Sequence, residues 1–306
     1  VNLFATVLTY PAPSANYRGE SELNRTIIQK VTEGRFDFPI ISPEAMRNAL
    51  REILAGYGLP CNRSRLHDEE QLAVKFKDYP NPDEYVDDFF FGYLVAAGNK
   101  ERKEIRKAVG RDDFTFKRDS VLRMNLAKAL EPYRHDAVFT QSPLSVEGSA
   151  YQNATTSALL HRETAVTAFQ YPFALNMNDC RRKVDWTRAL LRAIGELNGV
   201  AGNHARSYYE MAPASILVRL TELLVAGYAT YGFKENTGTG GYGFPEVITG
   251  ILHDPPDYPG KEFFIGGRIV KEMPEEQQAK LRERGATLER DPRKLLEIAT
   301  EKALGA

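Results

Sequence analysis

Hydrophobic and polar positions alternate at the start of this chain. Leu3, Ala5, Val7 and Thr9 fall on one side and Phe4, Thr6, Leu8 and Tyr10 on the other, which predicts a strand over 3–10 that Pro11 and Pro13 stop. Thr26 to Val31 and Arg35 to Ile41 read as a hairpin-like pair around Glu33-Gly34. A well-signalled helix follows. Ser42 suits the N-cap, Pro43 the first helical position and Glu44 the positive end, while Met46, Ala49, Leu50 and Ile53 repeat at helical spacing until Gly58 and Pro60 close it. Arg47 and Arg51 lie four apart on its other side. A helix N-terminus, a hydroxyl and two arginines suit an anion; the plainer reading is a capped surface helix with solvated arginines.

Residues 61–135 change character. Acidic residues crowd Asp68 to Asp88 and basic ones Lys100 to Arg134, with the aromatic cluster Tyr85, Phe89, Phe90, Phe91 and Tyr93 between. This block reads as a largely helical insertion with its own small core, whose acidic and basic faces suit head-to-tail self-association. Solvated charges on a helical subdomain are the plainer alternative. Ala137 to Thr140 predicts a short strand that runs into Gln141 to Ala158, a stretch of loop or hairpin composition. His161 to Ala174 predicts a strand, Val184 to Leu197 a helix, and Ala214 to Leu224 a strand followed by a helix. Strand, helix, strand, strand, helix, strand is the split βαβ order of ferredoxin-like folds, whose sheet is also the RRM platform. Gly238 to Gly243 matches G-x-G-x-x-G but lacks the strand before and the helix after that a dinucleotide site needs. From Pro274 the chain reads as a charged amphipathic helical tail.

The whole-chain numbers narrow the function. With 306 residues and 42% hydrophobic content, a substantial core is expected. A net charge of −1 argues against a uniformly basic nucleic-acid binder but allows a local basic stripe. Cys61 and Cys180 are the only cysteines, in no metal-binding or disulfide pattern, which fits a reducing cytoplasm. No apolar run reaches membrane-spanning length and no signal pattern opens the sequence, so a soluble cytoplasmic protein is expected. No nucleophile elbow, HExxH or phosphate-loop pattern appears, and the five histidines are scattered. No catalytic residue, metal or cofactor is expected.

Ser14 to Arg51 carries a resemblance. The run Ser-Ala-Asn-Tyr-Arg-Gly-Glu, then Asn-Arg-Thr, then Ile-Ile-Ser-Pro-Glu-Ala-Met-Arg-Asn-Ala-Leu-Arg-Glu is similar to the start of the DevR-type backbone subunits of type I CRISPR effector complexes (Cascade). It continues more loosely to about Leu220, and the DevR-like start favours a type I-B system. The resemblance implies an α+β fold: a ferredoxin-like (RRM-like) palm from 1–60 and 136–235, a β-hairpin thumb at about 141–160, a helical insertion (fingers) at 61–135, and a Gly-rich loop with a helical tail at 236–306. It implies no enzymatic activity. The subunit would assemble head to tail with copies of itself along CRISPR guide RNA, beside other Cascade subunits, and present the bases to target DNA in antiviral defence.

The RNA-binding candidates are Asn16, Arg18, Asn24, Arg25, Ser42, Arg47, Arg51, Arg118, Arg123, Gln141, Asn203 and Arg206, cations and amides suited to phosphates and 2′-hydroxyls. Leu144 and Val146 are the expected wedge of the thumb. Two other classes stay open: a standalone RNA-binding or regulatory protein, and a nucleotide-using α/β enzyme built on the loop near Gly240.

Overall fold

In the computed structural model, residues 1–14, 17–22, 25–65, 74–110, 114–141, 159–200, 208–236 and 241–305 are described, their side chains excepting 17–22, 25, 26, 65, 74, 140, 141, 159 and 160. The centre is the strand Phe169–Asn176. On one side it pairs antiparallel with the opening strand Asn2–Leu8, from Asn2↔Asn176 to Leu8↔Gln170. On the other side it carries two short strands, Leu122–Met124 and Ala127–Ala129. The break between these two faces Pro172, which has no N–H to give a ladder. Met124 faces Phe173 and Lys128 faces Gln170, so three residues oppose two, a bulge at the proline.

The nine-stranded sheet extends outward in both directions. Beyond Asn2–Leu8 come Ser215–Thr221, Phe263–Gly267 and, in parallel, Thr287–Glu289. Beyond Ala127–Ala129 come Phe36–Ile41 and its hairpin partner Lys30–Glu33. Side-chain alternation makes the sheet two-faced. Leu3, Ala5, Val7, Tyr171, Phe173, Ile216 and Val218 join one core with the helices Pro43–Gly56, Val184–Gly195 and Pro292–Gly305. Leu8, Leu217, Phe263 and Ile265 join a second core with the helix Pro245–Leu252 and the residues around it.

The opening strand, the helices Pro43–Gly56 and Val184–Gly195 and the Ala137–Gln141 strand lie close to their expected bounds. Four expectations are corrected. The stretch 161–174 divides into Leu159–Glu163, Ala165–Thr167 and Phe169–Asn176, because each piece pairs in a different sheet. No helix follows Ser215–Thr221; Glu222 to Val225 is an exposed bend. The region 236–306 is not an appended tail, since Phe263–Gly267 is a sheet strand and the final helix covers the same face as the other two long helices. Finally, 61–135 is not a self-contained helical unit. Its described helices are Val86–Phe91 and Asn99–Val109, its last two strands belong to the central sheet, and Phe89, Phe90 and Phe91 enter the main core.

A buried charge cluster holds this region to the first long helix. Asp87 and Asp88, on the Val86–Phe91 helix, are fully buried. Arg51 Nε donates to Asp87 Oδ2 at 3.0 Å and Arg63 Nε to the same oxygen at 3.2 Å. The backbone N–H of Asn62 donates to Asp87 Oδ1 at 2.8 Å, and Asn62 Nδ2 to Asp88 Oδ2 at 2.8 Å. The second oxygen of Asp88 makes no hydrogen bond and lies 3.5 Å from the Arg63 guanidinium. Burial lifts the Asp88 carboxyl above its ordinary value; the bonds from Asn62 and Asn81 oppose the shift only in part. The acidic face read from the sequence is therefore partly internal: two of its carboxylates neutralise arginines instead of facing solvent.

Two outcomes follow for stability. Gly267 has φ +90°, and a Cβ there would sit 2.3 Å from the Ala214 carbonyl oxygen, so Gly267→Ala should lose at least ~2 kcal/mol in denaturant unfolding. Arg51→Ala, which strands a buried carboxylate, should lose about 3 kcal/mol, whereas Arg47→Ala should lose under about 1 kcal/mol. Because the folded chain protonates Asp88 at higher pH than the unfolded chain, this residue's contribution grows as pH falls through its raised value. The stability difference between the wild type and Asp88→Asn should shift towards the wild type on acidification, and a pH-independent difference would contradict the burial effect.

Candidate nucleic-acid interface

Four arginines gather around the Val86–Phe91 helix. Arg51 and Arg63 are tied to its carboxylates, and Arg63 also donates to the Gly92 carbonyl at 2.9 Å. Arg118, on the short strand Lys117–Arg118, places its guanidinium 5.4 Å over the Phe89 ring, and its buried Nε has no hydrogen-bond partner. Arg47 is half-buried. Its Nε likewise has no partner, and Glu44 stands 3.7 Å away at the helix start. Desolvation lowers the Arg47 pKa, Glu44 opposes this, and the Arg63 charge adds to it. A guanidinium that is desolvated, repelled by a neighbour and short of acceptors is improved by any anion that reaches it.

The helix start beside Arg47 is capped as its sequence implies. Ser42 Oγ accepts from the Ala45 N–H at 3.2 Å. That bond uses the hydroxyl as acceptor and leaves its proton free to donate. Arg51 is a different matter and is corrected: its side chain is 8% exposed and committed to Asp87, so it positions the helix and does not share a solvent-facing surface with Arg47. Arg63, absent from the sequence-based set, belongs beside it. The repeated charge pattern offered no way to tell that Asp87 would turn inward and take Arg63 with it.

Arg123 lies apart, on the sheet. It is exposed on Leu122–Met124, in register with Ala174 of the central strand, which is in register with Phe4. With Asn125 and Thr230 these residues line a shallow open recess of about 260 Å³. An arginine, an amide and an aromatic edge on one open sheet surface can meet a phosphate, a sugar hydroxyl and a base. A larger recess of about 730 Å³ lies between the three long helices, and most of its charges are paired, as Arg188–Glu301, Arg192–Glu196 and Arg293–Asp291.

Arg18 and Arg25 stand on the strands Tyr17–Glu22 and Arg25–Ile28, and Gln141 ends Ala137–Gln141; their side chains lie outside the described residues. Asn16, Asn24, Asn203, Arg206, Leu144 and Val146 lie wholly outside them, as do 237–240 of the Gly-rich stretch. The strands flanking the expected thumb, Ala137–Gln141 and Leu159–Glu163, pair antiparallel throughout, from Ala137↔Glu163 to Gln141↔Leu159.

Among the described residues no group of three or more His, Cys, Asp and Glu side chains could hold a metal ion, and no helix is long and apolar enough to cross a membrane. Both cysteines are buried and unpaired, and burial pushes each thiol up to about 12, so neither is a nucleophile at neutral pH.

No protein-family profile matches the chain. It is 28% identical over 286 residues to the CRISPR-associated protein Cas7/Cst2/DevR of Myxococcus xanthus (strain DK1622), covering 91% of this chain and 90% of that protein. Its fold is similar to a chain of a CRISPR RNA-guided surveillance complex described as pre-nicking, with TM-score 0.62 at 11% identity over 99% of this chain and 100% of that one. A chain of a second CRISPR RNA-guided surveillance complex gives TM-score 0.55, again at 11% identity, 99% of this chain and 100% of the other. The resemblance read in Ser14 to Arg51 thus extends along nearly the whole sequence, as similarity to a Cas7/Cst2/DevR protein.

Proposed function

We propose that this chain is a guide-RNA-binding backbone subunit of a CRISPR effector complex. The observation that carries the reading is the similarity to Cas7/Cst2/DevR over nine-tenths of both chains, joined to a fold found in RNA-guided surveillance complexes. The strand order Ser215–Thr221, Asn2–Leu8, Phe169–Asn176, Ala127–Ala129 supports a ferredoxin-like palm. Counted along the chain this is the order four, one, three, two, with a helix crossing after the first and third strands. The thumb is assigned to 141–160, between paired flanking strands.

In this reading the protein holds RNA and performs no chemistry on it. Arg47, Arg118 and the Ser42 hydroxyl meet phosphates and 2′-hydroxyls without reading sequence, and Arg18, Arg25, Arg123, Gln141, Asn203 and Arg206 continue the track. Copies assemble head to tail so that the bases stay available to target DNA, and Watson–Crick pairing does the discrimination. The basic helix Asn99–Val109 buries none of its residues, and Asp78, Asp83 and Glu84 are exposed on the same insertion. Opposite charges on two surfaces of one subunit favour such open association and reconcile a near-neutral chain with a cationic groove.

Arg47→Ala combined with Arg118→Ala should weaken binding to single-stranded RNA and lower the slope of log affinity against log salt by roughly 0.7 for each phosphate contact removed. Filter binding across a salt series checks this. Unchanged affinity and slope would remove these residues from the groove.

A further inference from the structure

The sheet formed by Ala137–Gln141, Leu159–Glu163, Arg25–Ile28 and Tyr17–Glu22 carries an aromatic pair that the phosphate track leaves unused. Phe139 and His161 face each other across neighbouring strands, their rings 4.1 Å apart and tilted by 57°. Phe139 is 61% exposed. The next strand continues the row, since His161 is in register with Arg25.

The two ends of this sheet face differ. Residues two apart on a strand share a face, so His161 and Glu163 lie on the same one. At the Glu163 end the face is closed. Glu163 is 4% exposed and accepts from the Ile28 N–H at 3.2 Å and from Lys30 Nζ at 3.3 Å. Lys30 in turn lies 4.1 Å over the Tyr133 ring, which packs on Ile28 and Ala165. One rung outward the same face opens and presents Phe139 backed by His161. The closed end anchors the strands, and the open end presents an aromatic surface beside it.

We infer that Phe139, supported by His161, is a stacking platform for a nucleobase of single-stranded RNA. The inference rests on the RNA-binding reading above and adds a base contact to it. A phenyl face is flat and accepts any base, because every base has a π-face, so the contact is tolerant of sequence. The imidazole, tilted against the phenyl ring, has ring nitrogens able to bond a base edge or a ribose hydroxyl. The pair thus sets an aromatic face and a polar ring side by side, two of the contacts that one nucleotide offers.

The test uses the full chain with Phe139→Trp, read against the wild type, whose single tryptophan is Trp186. Oligoadenylate should quench the added fluorescence, and an abasic ribose-phosphate oligomer of equal length should bind without quenching. Phe139→Ala should weaken oligoadenylate binding at least roughly fivefold while leaving the abasic oligomer unaffected. Val138→Ala, on the opposite face of the same strand, should change neither. Oligoadenylate binding with no quenching, and equal affinity for Phe139→Ala and wild type, overturns the platform while leaving the RNA-binding reading intact. A change in assembly size without quenching makes the pair a protein contact and also overturns it. Failure of the wild type to bind either oligomer overturns both.

Discussion

One strand cannot be moved without dismantling the rest. Phe169–Asn176 is paired along its length to Asn2–Leu8 on one side and to two short strands on the other. Its alternate residues Phe169, Tyr171, Phe173 and Leu175 form the floor of the main core. A proline in the middle of such a strand would ordinarily argue against it. Pro172 is accommodated because the neighbouring chain bulges there and the Asn125 N–H donates to the Pro172 carbonyl at 3.1 Å. The bulge divides one sheet edge into two short pieces, and the first of them carries Arg123 onto the open sheet surface. A backbone constraint thereby sets the position of a candidate RNA contact.

The second constraint is electrostatic. Two aspartates at zero exposure are tolerable only because guanidinium groups and backbone N–H donors surround them. The arrangement sorts the arginines into two kinds. Arg51 and Arg63 are consumed in holding the Val86–Phe91 helix against the first long helix. Arg47 and Arg118 sit at the margin of the same cluster with unpartnered Nε atoms, displaced from water and from full pairing. Their spare donor capacity is the physical basis on which the proposed phosphate contacts rest.

Much of the central sheet and its helices could be read from local signals. The capped helix at Pro43, the alternation at Leu3 to Leu8 and the apolar stripe from Trp186 to Leu197 each obey one period from end to end. What failed was non-local. Phe89 to Phe91 looked like the core of an insertion and proved to belong to the main one, a distinction that rests on contacts such as Phe89 with Trp186 across nearly a hundred residues. Asp87, Asp88 and Arg51 looked like surface charge because a buried ion cluster has no local signature. Phe263–Gly267 was hidden because a strand buried on both faces shows no alternation, only the run Phe-Phe-Ile-Gly-Gly. Phe139 and His161 were in view as residues, but only the strand register brings them face to face.

The proposed function requires that this chain hold RNA along a multi-copy assembly. The direct measurement is size-exclusion chromatography of the full chain after co-expression with a CRISPR array and its processing subunit, following nucleic-acid and protein absorbance together. A large, RNA-rich peak containing many copies of the chain is the predicted result. A monomer free of nucleic acid under those conditions would contradict the proposed role.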